Sequence, residues 1–122
     1  MPVKQTDLLL VFGLKNCDSC SKARAWLDEH GVDYEFRDLR ADGLGADRLK
    51  RWLSSPLAPL LTNRRSTTWR QLTAIEKAQS DEDPFTILNQ YSTLIKRPVL
   101  ERHGRVLLVG FSVEEFREHL LS

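Results

Sequence analysis

The chain has 122 residues and a formal net charge of +1, with 18 lysines and arginines against 17 aspartates and glutamates. That length suits a single domain over residues 1–122, able to bury a core without metal or disulfide staples. The balance of charge excludes a protein built chiefly to coat nucleic acid or an anionic membrane, and the longest apolar run near the start, "LLLVFGL", is too short to cross a bilayer.

The first residues lack the basic, apolar and small-residue order of a signal peptide, so a soluble cytoplasmic protein is expected. In that compartment the two cysteines are not a permanent staple. Residues 8–13, "LLLVFG", predict a buried strand closed by Gly13. Residues 18–30 predict a helix with Cys20, Ala23 and Leu27 on one face, Trp26 beside them and Gly31 as the stop. In residues 32–38, Val32, Tyr34 and Phe36 alternate with polar residues as in a half-buried strand. Strand, helix and strand in that order imply a right-handed crossover between two parallel strands.

A glycine-bearing turn follows, then a helix from about Asp47 to Leu53 with Leu49, Trp52 and Leu53 as its apolar side. "SSPLAPLL" interrupts it, and the basic stretch "TNRRSTTWRQL" carries no clear structural signal. "DPFTILNQYSTLI" predicts another helix, capped by Asp83, with Leu88, Tyr91 and Ile95 along one face. "RPVLER" and "RVLLVGF" flank "HG" as a hairpin. The end, "SVEEFREHLL", opens on a capping box of Ser112 and Glu115, with Val113, Phe116 and Leu120 as its buried stripe. The plan is an α/β domain, β-α-β then β-β-α, with a helical insertion at about 43–95.

Both cysteines, Cys17 and Cys20, lie where the first strand becomes a helix. A helix N-terminus presents unpaired N–H groups and a partial positive charge, and both favour a thiolate. Lys15, Lys22 and Arg24 are near enough in sequence to add to that effect. Cys17 is the expected nucleophile, and Cys20, shielded by the helix, the expected resolving thiol. Two other readings stay open. The pair is half of a zinc site, although His30, His103 and His119 have no zinc-finger spacing. Or the thiols are incidental, Cys20 packing as a small hydrophobe. In "IKRPVL" the proline opening a strand can be cis, which would hold Arg97 in a fixed direction, but the residues alone favour a plain edge-strand start with a surface arginine. The arginines Arg64, Arg65 and Arg70 make a candidate anion-binding loop, or as readily a solvated loop with Trp69 anchored in the core.

The segments "GLKNCDSCSKARAWL", "LLTNRRSTTWRQL", "IKRPVL" and "LLVGFS" resemble, in order and spacing, the arsenate reductase-like (ArsC/Spx/YffB) family, most closely the YffB-type proteins. The likeness runs from about residue 8 to 120. It implies a thioredoxin-like fold with a helical insertion, a nucleophilic cysteine at Cys17, and a cis-proline at Pro98 next to an active-site arginine, Arg97. In this fold the cis-proline segment lies against the thiolate and pairs with the backbone of a bound disulfide partner. The arginine of the basic stretch maps to Arg65, counting back from Trp69, or to Arg64 if the loop shifts by one. The resemblance further implies a glutathione-dependent thiol/disulfide reductase. It would bind no cofactor and take glutathione as co-substrate along Lys15, Asn16, Arg64, Arg65, Arg97 and Pro98. Glutaredoxin or a protein disulfide is a further partner, and a monomer acting away from nucleic acid and membrane is expected.

Two departures from the family pattern carry information. Arsenate reductases of this family place a third arginine near Gly110, so here an oxyanion loses one charged clamp. Many YffB-type relatives lack a thiol at Cys20, whereas the Spx regulators, which bind the RNA polymerase α-subunit, carry a Cys-x-x-Cys switch. The resemblance therefore leaves an Spx-like regulator and an arsenate reductase as alternatives.

Overall fold

The computed structural model describes residues 7–121. Strands β1 (Leu9–Gly13), β2 (Tyr34–Asp38), β3 (Val99–Arg102) and β4 (Arg105–Val109) form one mixed sheet in the order β2-β1-β3-β4. β1 runs parallel to β2, with Leu9 opposite Tyr34 and Gly13 opposite Asp38. β3 is antiparallel to β1 and β4, with Val99 between Phe12 and Val109. Helix α1 (Asp18–Glu29) makes the crossover from β1 to β2, and α6 (Val113–Leu120) follows β4.

Between β2 and β3 lie α2 (Ala46–Leu53), α3 (Thr67–Gln71), α4 (Ala74–Glu82) and α5 (Pro84–Gln90), with 3-10 turns at Ala58–Leu60 and Ser92–Leu94.

Alternation along the strands gives the sheet two apolar faces. Leu9, Val11, Leu100 and Leu108 pack with Ala23, Trp26, Leu27 and Phe116 of α1 and α6. On the other face Phe12, Val99 and Val109 pack with Leu49, Trp52, Leu61, Ile87 and Leu88. Glu101 is buried on that second face, where Trp52 Nε1 donates to it at 2.7 Å and Arg48 Nε lies at 3.3 Å. Paired in this way, a buried carboxylate is tolerated.

Several elements differ from expectation. The basic stretch, which gave no clear signal, forms α3, with the Ser66 hydroxyl accepting the Trp69 N–H as its cap. Helix α4 was not foreseen, although Thr73 and Glu76 cap it reciprocally.

The expected helix through Ile95 stops at Gln90, because Tyr91 leaves helical geometry (φ −120°, ψ 80°). That break lets residues 94–96 run beside 61–63: Asn63 N–H donates to Leu94 O, Lys96 N–H to Leu61 O, and Thr62 bridges Ile95. In α6 the Ser112 hydroxyl accepts the Glu115 N–H and donates to Glu114, but the reciprocal bond of a capping box, from the Ser112 N–H to the Glu115 carboxylate, is not formed. Phe116 is buried there, Leu120 only partly, and Val113 is exposed, so the expected stripe is buried at its middle alone.

Candidate active site

The C-terminal ends of β1 and β4 and the start of β3 meet at one edge of the sheet, because Phe12, Val99 and Val109 are in register. Residues 14–17 leave β1 at that edge and enter α1. Cys17 is the residue before the helix, in an extended conformation (φ −116°, ψ 123°), with its carbonyl accepting the Ser21 N–H. It is partly exposed, while Cys20, one turn on, is 1% exposed.

Gly13 explains how Cys20 fits. A Cβ on Gly13 would collide with Cys20 Sγ and press on Phe36 Cε2 at 3.3 Å. The last residue of β1 therefore lacks a side chain because the second thiol occupies that space.

The two thiols are driven in opposite directions. Burial raises the Cys17 thiol, but hydrogen bonds from the Cys20 side chain and backbone, with the Arg97 guanidinium, outweigh it and hold Cys17 below its ordinary value. Burial pushes the Cys20 thiol up to about 12, aided by the hydrogen bond and charge of Cys17 and only partly opposed by the Leu14 backbone. Negative charge on the pair is therefore favoured on the partly exposed sulfur of Cys17 and disfavoured on Cys20.

Arg97 precedes Pro98, and the peptide bond between them is cis. Its Nη1 donates to Thr93 O at 2.7 Å and Ile95 O at 3.2 Å, which curls the guanidinium over its own loop. Its buried Nε has no hydrogen-bond partner among the described residues. The same holds for the Arg97 backbone N–H with respect to the main chain. The loop is fixed from the other side by the 61–63 pairing and by a 2.8 Å bond between Thr68 and Thr93 hydroxyls.

The other candidates are placed unevenly. Lys15 and Asn16 are exposed on the loop before Cys17. Lys22 pairs with Asp18 at 3.2 Å, and the Arg24 guanidinium lies 4.3 Å from the Phe36 ring centroid. Neither lysine nor Arg24 is among the groups that lower Cys17; Arg97 is. Arg64 is turned to Asp81 at 2.6 Å and lies over Trp69. Arg65 is exposed, and its backbone N–H donates to Asn63 Oδ1 at 3.0 Å. The structure thus joins Cys17, Cys20, Arg97 and Pro98 in one group, puts Arg65 on the adjoining loop and directs Arg64 away.

Asp38 is a residue that reading the sequence missed. Buried at the end of β2, its carboxylate accepts N–H groups from Ala41 at 2.9 Å, Arg40 at 2.8 Å and Lys15 at 3.2 Å. These donors, the Ala41 N–H foremost, hold it below the usual carboxylate range. The Lys15 bond ties the loop before Cys17 to the end of β2. An aspartate opening a glycine-bearing turn was the available signal.

A model of the ArsC family matches residues 12–119. An uncharacterized protein of Haemophilus influenzae is 36% identical over 111 residues, 90% of this chain and 96% of its own. The global transcriptional regulator Spx of Bacillus subtilis is 27% identical over 115 residues, 93% of this chain and 87% of its own. Among solved structures, a YffB protein superimposes with a TM-score of 0.83 at 38% identity, covering 92% of this chain and 98% of its own. An arsenate reductase-related protein of Brucella melitensis follows with a TM-score of 0.73 at 35% identity, over 96% and 98%. The expected thioredoxin-like, ArsC-type architecture is the one present.

Proposed function

The chain belongs to the ArsC family, and from that premise we propose that it is a glutathione-dependent thiol–disulfide reductase with the Cys17 thiolate as nucleophile. One observation carries the reading: a partly exposed, acidified thiol at a helix N-terminus beside a buried thiol raised to about 12. No helix among the described residues is long and apolar enough to cross a membrane. The chemistry suits a reducing cytoplasm, where glutathione supplies electrons.

The Cys17 sulfur attacks one sulfur of a substrate disulfide. A new S–S bond forms as the old one breaks, and the departing thiolate takes a proton from solvent. A glutathione thiolate then attacks the Cys17 sulfur and releases the second half of the substrate. A second glutathione removes the first as oxidised glutathione and restores Cys17. Two glutathione thiols thus provide the two electrons that convert one disulfide to two thiols. Arg97 stabilises Cys17 as the thiolate each time that sulfur carries charge, and Arg65 stands ready for a substrate carboxylate. Cys20 is buried, and burial is the chief cause that disfavours its thiolate, which favours glutathione as the resolving thiol. Glycine at position 110, where an arsenate reductase has a third arginine, favours a disulfide over arsenate.

Mass spectrometry after incubation with oxidised glutathione tests this on the parent and on Cys20→Ser. A glutathione adduct on Cys17 is expected in both. An internal disulfide in the parent, with the adduct only in Cys20→Ser, would instead make Cys20 the resolving thiol. No modification of either would sink the reductase reading.

The Spx relatives, together with the Cys17–Cys20 pair, favour one alternative: a regulator whose disulfide controls a protein partner. Capture of the RNA polymerase α-subunit in only one redox state of the pair would establish it, and capture in neither would remove it.

A further inference from the structure

Lys96 sits between two features of the site without belonging to either. Its backbone is held, its N–H donating to Leu61 O at 2.7 Å. Arg97 is the next residue, and the cis peptide to Pro98 follows. The Lys96 side chain crosses the backbone of Gly110, the residue that follows β4. A Cβ built on Gly110 would come within 3.0 Å of Lys96 Cε and 3.6 Å of Nζ. Gly110 is itself tied to the cis segment, its N–H donating to Pro98 O at 2.8 Å, and its φ of +86° suits glycine. Lys96, Pro98 and Gly110 therefore form one wall at the sheet edge where Cys17 lies.

No carboxylate pairs with Lys96 among the described residues. The residue is exposed, so its ammonium is solvated and available. Nor does Lys96 figure among the groups that acidify Cys17. The ammonium is thus not committed to the thiolate, as Arg97 is. Arg97 is committed by comparison: Nη1 holds two loop carbonyls, Nε is buried, and the guanidinium serves the thiolate. A ligand whose sulfur is at Cys17 must find the partner for an outlying carboxylate elsewhere. Lys15 and Arg65 are exposed on loops. The stem of Lys96, by contrast, lies against Gly110, where there is no side chain to displace it.

We propose that Lys96 binds a carboxylate of the peptide thiol that Cys17 engages, and so selects anionic disulfides such as oxidised glutathione over neutral ones. The proposal rests on the glutathione reading above. Glutathione carries two carboxylates and one amine, so each half of its disulfide has an anionic end to offer. Lys96 acts in binding and leaves the reactivity of the sulfur to Arg97.

The test compares two probes, oxidised glutathione and the uncharged bis(2-hydroxyethyl) disulfide, on the parent, Lys96→Gln and Lys96→Arg. The rate of mixed-disulfide formation is followed by mass spectrometry at low salt. In Lys96→Gln the rate with oxidised glutathione should fall about five- to tenfold, in keeping with the loss of one partly exposed charge-assisted contact. With the uncharged disulfide it should fall less than about twofold, and the pH midpoint of thiol alkylation should stay where the parent has it. Lys96→Arg should retain most of the preference. Equal losses with both probes, or a shifted midpoint, would overturn the role of Lys96 and leave the glutathione reading standing. A parent with no preference for oxidised glutathione over the neutral probe would overturn both.

Discussion

Cys17 and Cys20 share a helical turn and differ in acidity because only one of them is shut away from water. Desolvation acts on both, but at Cys17 the donors that favour its charged form outweigh it, whereas at Cys20 burial prevails, helped by the hydrogen bond and charge of Cys17 over the Leu14 N–H and Arg97. Arg97 is the one full positive charge among those donors, so it is the residue to remove. Cys17 is thiolate above its lowered pKa and loses reactivity as pH falls through it. In Arg97→Ala that loss should begin at higher pH, with the midpoint of iodoacetamide alkylation moved up by about one unit, the scale of one nearby opposite charge. Arg97→Lys should recover part of the shift while giving up the two-carbonyl contact to Thr93 and Ile95. An alkylation curve unchanged in Arg97→Ala would remove Arg97 from the activation of the thiol. Placement at a helix N-terminus was legible from the spacing of the cysteines. The charge that matters was harder to choose. Lys15, Lys22 and Arg24 are neighbours in sequence, but two of them are spent on Asp18 and Phe36. Arg97 arrives from a distant loop; the residues alone singled it out beside Pro98, and its place at the thiol came only through family likeness.

Between β1 and α1 the decisive contact is that of Gly13 with Cys20. Reading Gly13 as the end of a strand located it correctly and missed its purpose, since the neighbour that forbids a side chain comes from the following helix. Gly13→Ala should destabilise the protein by roughly 1–3 kcal/mol, the usual cost of forcing an extra group into a packed site. Removing the sulfur should relieve the clash, so Gly13→Ala/Cys20→Ala should be more stable in urea than the sum of the two single changes predicts. Additive losses would mean that the glycine answers to something else, such as its contact with Phe36. The helices of the middle segment show the same division. Leu49 and Trp52 were placed on a buried face because a 3.6-residue period is local information. Helix α4 carried its own signal in Thr73 and Glu76. Its apolar pattern is poor, though, with Ile75 80% exposed, so periodicity did not reveal it. The break at Tyr91 had no local signal at all. It is set by tertiary contacts: the Tyr91 hydroxyl donates to Glu76 at 2.7 Å, and the chain beyond must reach the 61–63 loop.

At the scale of the whole chain, the sheet edge gathers the end of β1, the start of β3 and the end of β4, so the chemistry and the core share side chains. The order of elements around that edge followed from strand and helix patterns, whereas the pairing of 94–96 with 61–63 joins segments too irregular for any pattern to register. Cys20 is where site and core coincide, and this has a consequence for stability. In the reduced, folded protein its thiol ionises only near 12, while in the unfolded chain it ionises near an ordinary value of about 8.5. A group raised by folding stabilises fully below its unfolded pKa and loses that contribution as pH climbs toward the folded one. Cys17 works in the opposite sense and in a different window. Its lowered pKa contributes stability above the unfolded value, which fades as pH drops through the folded one, so above about 8.5 its contribution is level. Between pH 9 and 10.5 the reduced parent should therefore lose roughly 2 kcal/mol more than Cys20→Ala does, close to the release of one proton over that range. Lysines and tyrosines common to both proteins cancel in that comparison. Urea unfolding under a reducing agent at the two pH values measures the difference. Parallel losses would mean that Cys20 ionises in the folded protein as readily as in the unfolded chain, and the division of charge between the two thiols would fall with it.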